Sequence, residues 1–458
     1  MMRTRFAPSP TGFMHIGNLR TALFGYLLAR RMGGVFALRI EDTDIGRYVP
    51  EALDKIYETL KIAGIKHDEG PDIGGNYGPY VQSERKDSYL KQAEALIELG
   101  AAYYCICAPG EEACNCRAAG LARPEGPYAI RQLIPPGQTT FSDLVYGEIT
   151  VENSELEDQV LIKQDGMPTY NFANVVDDHF MAITHVLRGS EYLPSTPKYN
   201  LLYEAFGWPI PTYVHLPLIL SADGGKLSKR RGDAFFEDFL EKGFLPEAIV
   251  NYIVLLGWSP PDNREIYTLA ELEQVFGIEG LSKAPSTFDL AKLKWMNGEY
   301  FKAMSGKNFE PLAAPYLAAA VKREDINRSA LSLMVKDRIA TLLEIREILD
   351  FIDVLPEYGA DLFMNKKNKS TPETAKDMLS KLLPEMEAFP AENWESGAIY
   401  KFLTDFAEAQ GVKNSLVLWP IRCALSGKES SPGGATELLN VFGKNESVAR
   451  IKQALEVL

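Results

Sequence analysis

The chain of 458 residues carries 48 Lys and Arg against 62 Asp and Glu, a formal charge of −14, with 46% hydrophobic and 24% charged positions. That composition excludes disordered, collagen-like and membrane-spanning classes. The acidic balance argues against indiscriminate DNA binding but leaves room for RNA on a local basic face. At roughly 100 to 200 residues per domain, the length predicts two to four domains, each able to bury its own core.

The amino end lacks the apolar region of a signal peptide, and apolar stretches such as residues 248–258 fall short of the roughly 18 residues a membrane span needs, so a cytoplasmic protein is expected. Residues 3–9 (RTRFAPS) read as a short buried strand that runs into the turn chemistry of Pro8, Pro10 and Gly12. Leu19, Ala22, Leu23, Tyr26 and Leu27 then recur at helical spacing. A second strand over 35–40 and a second helix over 50–63 complete a βαβα start, which predicts an α/β fold built on a doubly wound parallel sheet. Residues 74–170 change character, with clustered cysteines, many prolines and glycines, and a strand-like run at 148–152, and read as an insertion. Strands over 182–187 and 213–220 are expected to finish the sheet. Beyond Asp233 the pattern is helical: Val335, Ile339, Leu342, Ile345, Leu349 and Ile352 hold one face, residues 370–373 (STPE) read as a capping box, and Gly359 and Gly443 read as stops. Residues 366–369 and 426–434 read as exposed loops.

The phosphate-loop string Gly-x4-Gly-Lys-Ser/Thr is absent. At the first strand-to-helix turn stands Pro8-Ser9-Pro10-Thr11-Gly12-Phe13-Met14-His15-Ile16-Gly17-Asn18. Free amides at a helix start suit nucleotide phosphates, His15 can donate to oxygens that gain charge, and Gly17 permits close approach; the alternative is an ordinary loop with a structural histidine. Lys226-Leu227-Ser228-Lys229-Arg230, preceded by Ser221-Ala-Asp-Gly-Gly, is either a solvated basic loop or a hinged loop that closes over a triphosphate. Cys105, Cys107, Cys114 and Cys116 form either a metal site or a set of reduced thiols. Cys423, His67, His179, His185 and His215 read as structural.

The strings HIGN and KLSKR resemble the two nucleotide signatures of class I aminoacyl-tRNA synthetases. Arg5-Phe-Ala-Pro-Ser9-Pro-Thr-Gly12, Arg39-Ile-Glu41-Asp-Thr-Asp44, Pro168-Thr-Tyr170-Asn-Phe-Ala-Asn174, His185-Val-Leu-Arg188-Gly-Ser-Glu191 and Gly243-Phe-Leu-Pro-Glu-Ala-Ile-Val-Asn251 resemble the glutamyl-tRNA synthetase family. The likeness runs over residues 3–300 and more loosely to Leu458. It implies a class I synthetase Rossmann-like parallel sheet (1–73 and 171–232), an inserted acceptor-end-binding domain (74–170), a stem-contact unit (233–300) and an all-helical anticodon-binding domain (301–458). It implies ATP with Mg2+, glutamate and tRNA(Glu) as substrates, no DNA or membrane partner, and a monomer that binds tRNA before activating glutamate.

In that likeness His15, Lys226 and Lys229 are catalytic. Pro8, Ser9, Thr11, Gly12, His15, Gly17, Asn18, Lys226, Ser228, Lys229 and Arg230 bind ATP. Arg5 and Arg188 grip the side-chain carboxylate with forked hydrogen bonds, Glu41 meets the α-ammonium, and Ala7, Ser9, Tyr170, Asn174 and Glu191 complete the glutamate site. The four cysteines match a zinc position that some members have, with a shorter spacer here than usual, so Zn2+ and reduced thiols both stand. Glutaminyl-tRNA synthetase, the near rival, carries Pro-Pro-Glu-Pro-Asn-Gly at residues 7–12 and an aspartate where Glu41 stands. Two further readings are an RNA-independent nucleotidyltransferase and an RNA-holding paralogue without catalysis. Whether tRNA(Gln) is also charged depends on anticodon contacts; Arg338, Arg346, Lys376, Lys381 and Lys401 are basic helix positions suited to phosphates or to plain solvation.

Overall fold

The structure is a computed structural model that describes residues 1–458 except Thr11, 44–50, 109–113, Lys226 and 228–234. The chain divides into two compact units, one of Met1–Glu241 with Pro246–Leu290, the other of Lys242–Leu245 with Ala291–Leu458. Among the described residues no helix is long and apolar enough to cross a membrane.

The first unit begins β1 (Arg3–Phe6), α1 (Ile16–Arg31), β2 (Val35–Leu38), α2 (Ala52–Ile62). β1 and β2 run parallel with Arg3 opposite Val35, so α1 is the crossover the opening sequence predicts. α1 buries residues on almost every side, including all five periodic positions, and is therefore an interior helix. After α2 come α3 (Lys86–Glu98), β3 (Ala102–Cys105), α4 (Cys116–Ala119), β4 (Ala129–Gln132), β5 (Gln138–Asp143), β6 (Gly147–Glu152) and β7 (Val160–Ile162). The sheet resumes through α5 (Tyr170–Phe180), β8 (His185–Gly189), α6 (Thr196–Phe206) and β9 (Thr212–Leu216), with β8 and β9 again parallel. The Arg3 carbonyl accepts from the Thr184 amide at 3.0 Å, which seats β1 beside β8. A short β10 (Ile219–Leu220) pairs with β11 (Ser286–Thr287) after helices α7 (Phe236–Glu241), α8 (Pro246–Leu255) and α9 (Leu269–Val275).

The two late strands differ from the expected spans. The first starts at His185 because Ala182 turns the chain at φ 52°. The second ends at Leu216, where Pro217 removes an amide donor and breaks the 213–220 run before β10.

Residues 74–170 do not stand apart. β5 pairs parallel to β9 through Asp143 and Tyr213, and antiparallel to β6, so this hairpin widens the main sheet. The antiparallel sheet β3-β4-β7 shares one core with helices α3, α5 and α6: Tyr89, Leu96, Ile130 and Leu161 pack with Phe172 and Val176 of α5 and Tyr199 and Leu202 of α6.

The second unit is helical: α10 (Leu290–Ala303, entering from the first unit), α11 (Gly306–Ala320), α12 (Arg328–Lys336), α13 (Glu344–Ile348), α14 (Asp350–Asp353), α15 (Pro372–Ala388), α16 (Ser396–Ala409), α17 (Asn414–Ser426) and α18 (Ala435–Val457). The six apolar positions from Val335 to Ile352 are all buried, yet they lie on α12, a loop, α13 and α14 rather than on one helix. The capping box sits one residue later than expected: Thr371 accepts from the Thr374 amide, because Pro372 takes the first helical position and fixes the register. Gly443, at φ 71° and ψ 175°, leaves helical geometry and interrupts α18 into two helical segments, as its reading as a stop expects. Arg450 ties the bundle together from within, donating to the carbonyls of Leu425 (2.7 Å), Ile352 (2.9 Å) and Phe351 (3.1 Å) while lying over the Phe442 ring.

Candidate active site

One cleft of about 510 Å3 opens over the ends of β1 and β8. It is lined by Arg5, Ala7, Pro8, Ser9, His15, Gly17, Asn18, Glu41, Tyr170, Arg188 and Glu191, all foreseen in the sequence. Gly12 and Asn174 are not in the lining; Asn174 is buried behind Tyr170 and donates to its carbonyl at 2.8 Å. Leu227 lines the cleft, whereas Lys226, Ser228, Lys229 and Arg230, like Thr11, lie outside the described residues. Phe6, Arg20, Thr21, Tyr192 and the 217–219 turn also line it and were not foreseen. Arg20 is buried, donates to the carbonyls of Leu256 (2.9 Å) and Pro217, and so fixes that turn; burial lowers its pKa to about 10.

His15 caps α1. Its Nδ1 accepts the Gly17 amide at 3.0 Å, so a neutral ring carries its proton on Nε2. A Cβ on Gly17 would stand 3.2 Å from that Nδ1, which makes the imidazole contact the tight requirement at this position.

Beneath the cleft lies a buried charge cluster. Arg39, fully enclosed, donates to Asp178 (2.7 Å) and Glu41 (2.9 Å) and stands 3.7 Å from Asp177. Asp177 is held in turn by Arg85 (2.7 Å), Tyr89 (2.9 Å) and Gln82 (2.8 Å). Arg5 donates to both Asp178 oxygens, at 3.0 and 3.2 Å, and to the Leu187 carbonyl at 3.3 Å. Three guanidiniums therefore balance three carboxylates out of water. Burial works against ionisation of Asp178, but Arg5 and Arg39 outweigh it and hold its carboxyl below the usual range. Burial also opposes the charge on Arg5, and Asp178 overcomes it, leaving the guanidinium pKa raised. Glu41 goes the other way: burial pushes its carboxyl up to about 6, with Arg39 and Arg5 only partly offsetting it. The fork expected of Arg5 toward a ligand is thus already taken up by Asp178, and one proton on each terminal nitrogen remains.

Arg188 is built differently. It is buried, its Nε donates to His215 Nε2 at 3.1 Å and its Nη2 to Thr196 Oγ1 at 2.9 Å, and no carboxylate among the described residues pairs with it. The rings of Tyr199, Tyr213 and Tyr192 surround it at 4.5, 5.3 and 5.5 Å. His215 is buried too, with Nδ1 2.7 Å from Asp143 Oδ2. His215 was read from sequence as structural, with no visible partner; Asp143 lies 72 residues away and only strand pairing brings the two together.

The four cysteines are brought together. Their sulfurs lie within 4.8 Å of one another, with Cys105 to Cys114 at 3.5 Å and Cys107 to Cys116 at 3.6 Å. Thiolates around tetrahedral zinc at about 2.3 Å would stand about 3.8 Å apart, so the donor set fits such an ion.

Residues 1–118 and 114–295 match the family model described as class I tRNA synthetases (E and Q), catalytic domain, and residues 307–455 match an anticodon binding domain model. The chain is 51% identical over 480 residues to a glutamate–tRNA ligase of Clostridium botulinum, covering 100% of this chain and 99% of that protein. It is 50% identical over 482 residues to the glutamate–tRNA ligase of Clostridium acetobutylicum, with the same shares covered. A crystal structure of the glutamate tRNA ligase of Elizabethkingia meningosepticum in complex with its amino acid superposes with TM-score 0.86 at 36% identity, covering 100% of this chain and 99% of the other. The glutamate–tRNA synthetase of Elizabethkingia anophelis gives TM-score 0.87 at 35% identity, covering 99% of both.

Proposed function

We propose, since this chain belongs to the class I glutamate–tRNA ligases, that the cleft holds glutamate and ATP together and that the protein forms glutamyl-tRNA(Glu). The observation that carries the assignment of the cleft is Arg188: a buried guanidinium with no anionic partner among the described residues, facing a cavity, calls for a carboxylate ligand. The glutamate side chain would supply it, aided by the protons of Arg5 that Asp178 leaves over. Glu41 would receive the α-ammonium beside Tyr170, with Ala7, Ser9 and Glu191 around it and Asn174 fixing the Tyr170 backbone from behind. Pro8, Ser9, Thr11, Gly12, Gly17 and Asn18 would cradle ATP at the start of α1.

In the first step an α-carboxylate oxygen attacks the α-phosphorus and the bond to pyrophosphate breaks. His15 Nε2–H, Lys226 and Lys229, with Ser228 and Arg230 beside them, would neutralise charge that grows on the phosphate oxygens. In the second step a terminal ribose hydroxyl of tRNA attacks the acyl carbon and AMP departs. Mg2+ on the phosphates supplies further charge neutralisation when bound. The second unit, whose residues 307–455 match an anticodon-binding model, would read the tRNA at its far end, and residues 74–170 would meet its acceptor end.

The test is charging of purified tRNA(Glu) and tRNA(Gln) with labelled glutamate. Glutamyl-tRNA(Glu) is the expected product, and ATP-pyrophosphate exchange of equal rate without any tRNA, with no charging, would overturn the reading. Label on tRNA(Gln) as well would assign the non-discriminating form.

Glu41 sets an acid limit. It must be ionised to accept the ammonium, so kcat/KM for glutamate is expected to fall below about pH 6, approaching tenfold per unit. Its effect on stability has the opposite sign: a folded value near 6 above an ordinary 4.5 means its stabilising contribution is complete below 4.5 and is lost as pH rises through 6. Steady-state rates and urea midpoints measured over the same pH range check both signs.

Cys105, Cys107, Cys114 and Cys116 would hold structural Zn2+, which would tie the end of β3 to the start of α4. Native mass spectrometry is expected to find about one Zn2+ per chain, lost in a Cys114→Ser, Cys116→Ser double variant. A metal-free protein purified with zinc present would leave the cysteines as reduced thiols.

A further inference from the structure

We propose that His215, oriented by Asp143, is the positioning residue that aims Arg188 and so enforces the choice of a side-chain carboxylate over an amide. The proposal rests on the reading that the cleft holds glutamate.

The hydrogen bonds assign the protons of the network, in which Thr196 Oγ1 also stands 3.3 Å from His215 Nε2. The Arg188 Nε–H is permanent, so His215 Nε2 must accept it, and the imidazole proton resides on Nδ1 and goes to Asp143 Oδ2 at 2.7 Å. Asp143 has no freedom left: Oδ2 also accepts the His215 amide at 2.9 Å, and Oδ1 accepts the Val145 and Tyr146 amides at 2.9 and 2.8 Å. On the other side, the Thr196 hydroxyl donates to the Tyr192 carbonyl at 2.9 Å and therefore accepts from Arg188. Two of the five guanidinium protons are pinned in this way, and among the described residues the remaining three have no protein acceptor.

The imidazole acts as a neutral spacer. A carboxylate placed directly on Arg188 would occupy it, as Asp178 occupies Arg5. Asp143 fixes the arginine from one ring away, leaving its charge uncompensated at the cleft. A held guanidinium presents only donors there. Glutamate offers acceptors on both oxygens, whereas the amide nitrogen of glutamine would bring protons against protons. A guanidinium released from His215 can rotate away from that conflict, so discrimination weakens along with affinity.

The experiment is steady-state aminoacylation by the full chain on tRNA(Glu), with glutamate and ATP varied separately and glutamine added as a competitor. His215→Phe is expected to raise the glutamate KM about 10- to 100-fold, to reduce the preference for glutamate over glutamine by a similar factor, and to leave the ATP KM within about twofold. His215→Gln, whose amide can accept from Arg188 while donating to Asp143, is expected to recover most of the loss. An unchanged glutamate KM, or equal losses for glutamate and ATP with no change in preference, overturns the proposal. Nitrogen-15 NMR of histidine-labelled native protein needs no variant: with five histidines in the chain, His215 must appear neutral and protonated on Nδ1 at about pH 7, and an imidazolium or an Nε2–H form overturns the proposal. Arg188→Leu run in parallel separates the two levels of argument. No effect of Arg188→Leu on glutamate KM defeats the reading of the cleft, while an effect there without one at His215 defeats only the positioning role.

Discussion

Arg188→Leu is expected to lower kcat/KM for glutamate by about 30- to 5,000-fold, the range for truncating one partner of a buried, hydrogen-bonded charge pair. The loss should fall on glutamate capture, with the ATP KM nearly unchanged, because Arg188 sits at the β8 end of the cleft and the loop proposed to hold the nucleotide lies at the start of α1. Arg188→Lys should recover only part of it: an ammonium keeps the charge but cannot reach His215, Thr196 and a ligand in one planar arrangement. Arg5→Leu offers a contrast within the same assay. Arg5 is tied to Asp178, so its removal costs folding stability as well as activity, whereas Arg188 has no ion-pair partner among the described residues to strand. Separate glutamate and ATP titrations, with unfolding curves for each variant, check the pattern; equal stability losses at the two positions would contradict it.

Arg39→Met is expected to destabilise the first unit by about 3–5 kcal/mol, because it leaves Glu41 and Asp178 buried without the cation that touches both. The pH dependence identifies the cause. In the native protein Asp178 is held below its ordinary value, so it contributes stability above that value and the contribution is lost on acidification. Without Arg39 the Asp178 and Glu41 carboxyls both shift up, Asp178 still held in part by Arg5, so the deficit against the native protein should shrink as the pH is lowered. Urea unfolding at several pH values measures it. A deficit independent of pH would point to lost packing instead of lost charge compensation.

The candidate site was most legible where it draws on contiguous residues. Arg5, Glu41 and Arg188 each stand in a short string at a strand end, and one cleft gathers them. The support beneath them was not legible, because its partners are far apart in sequence: 139 residues between Arg39 and Asp178, 72 between His215 and Asp143. Nothing local marks a histidine as the neighbour of an aspartate on another strand. Periodicity likewise recorded burial without continuity. Val335 to Ile352 all face the core, but a loop between α12 and α13 carries two of them there. The nucleotidyltransferase alternative has no use for a helical unit matching an anticodon-binding model over 307–455.

The parallel pairing of β5 with β9 bears on how this protein can be re-engineered. Asp143 is the last residue of β5, so exchanging residues 74–170 for the equivalent segment of a relative also exchanges the carboxylate that holds His215, and under the positioning proposal the choice of amino acid with it. If the proposed roles hold, a chimera cut at the ends of that segment inherits a donor's selectivity together with its acceptor-end surface. A graft meant to change only the latter has to leave the hairpin in place and join beyond it.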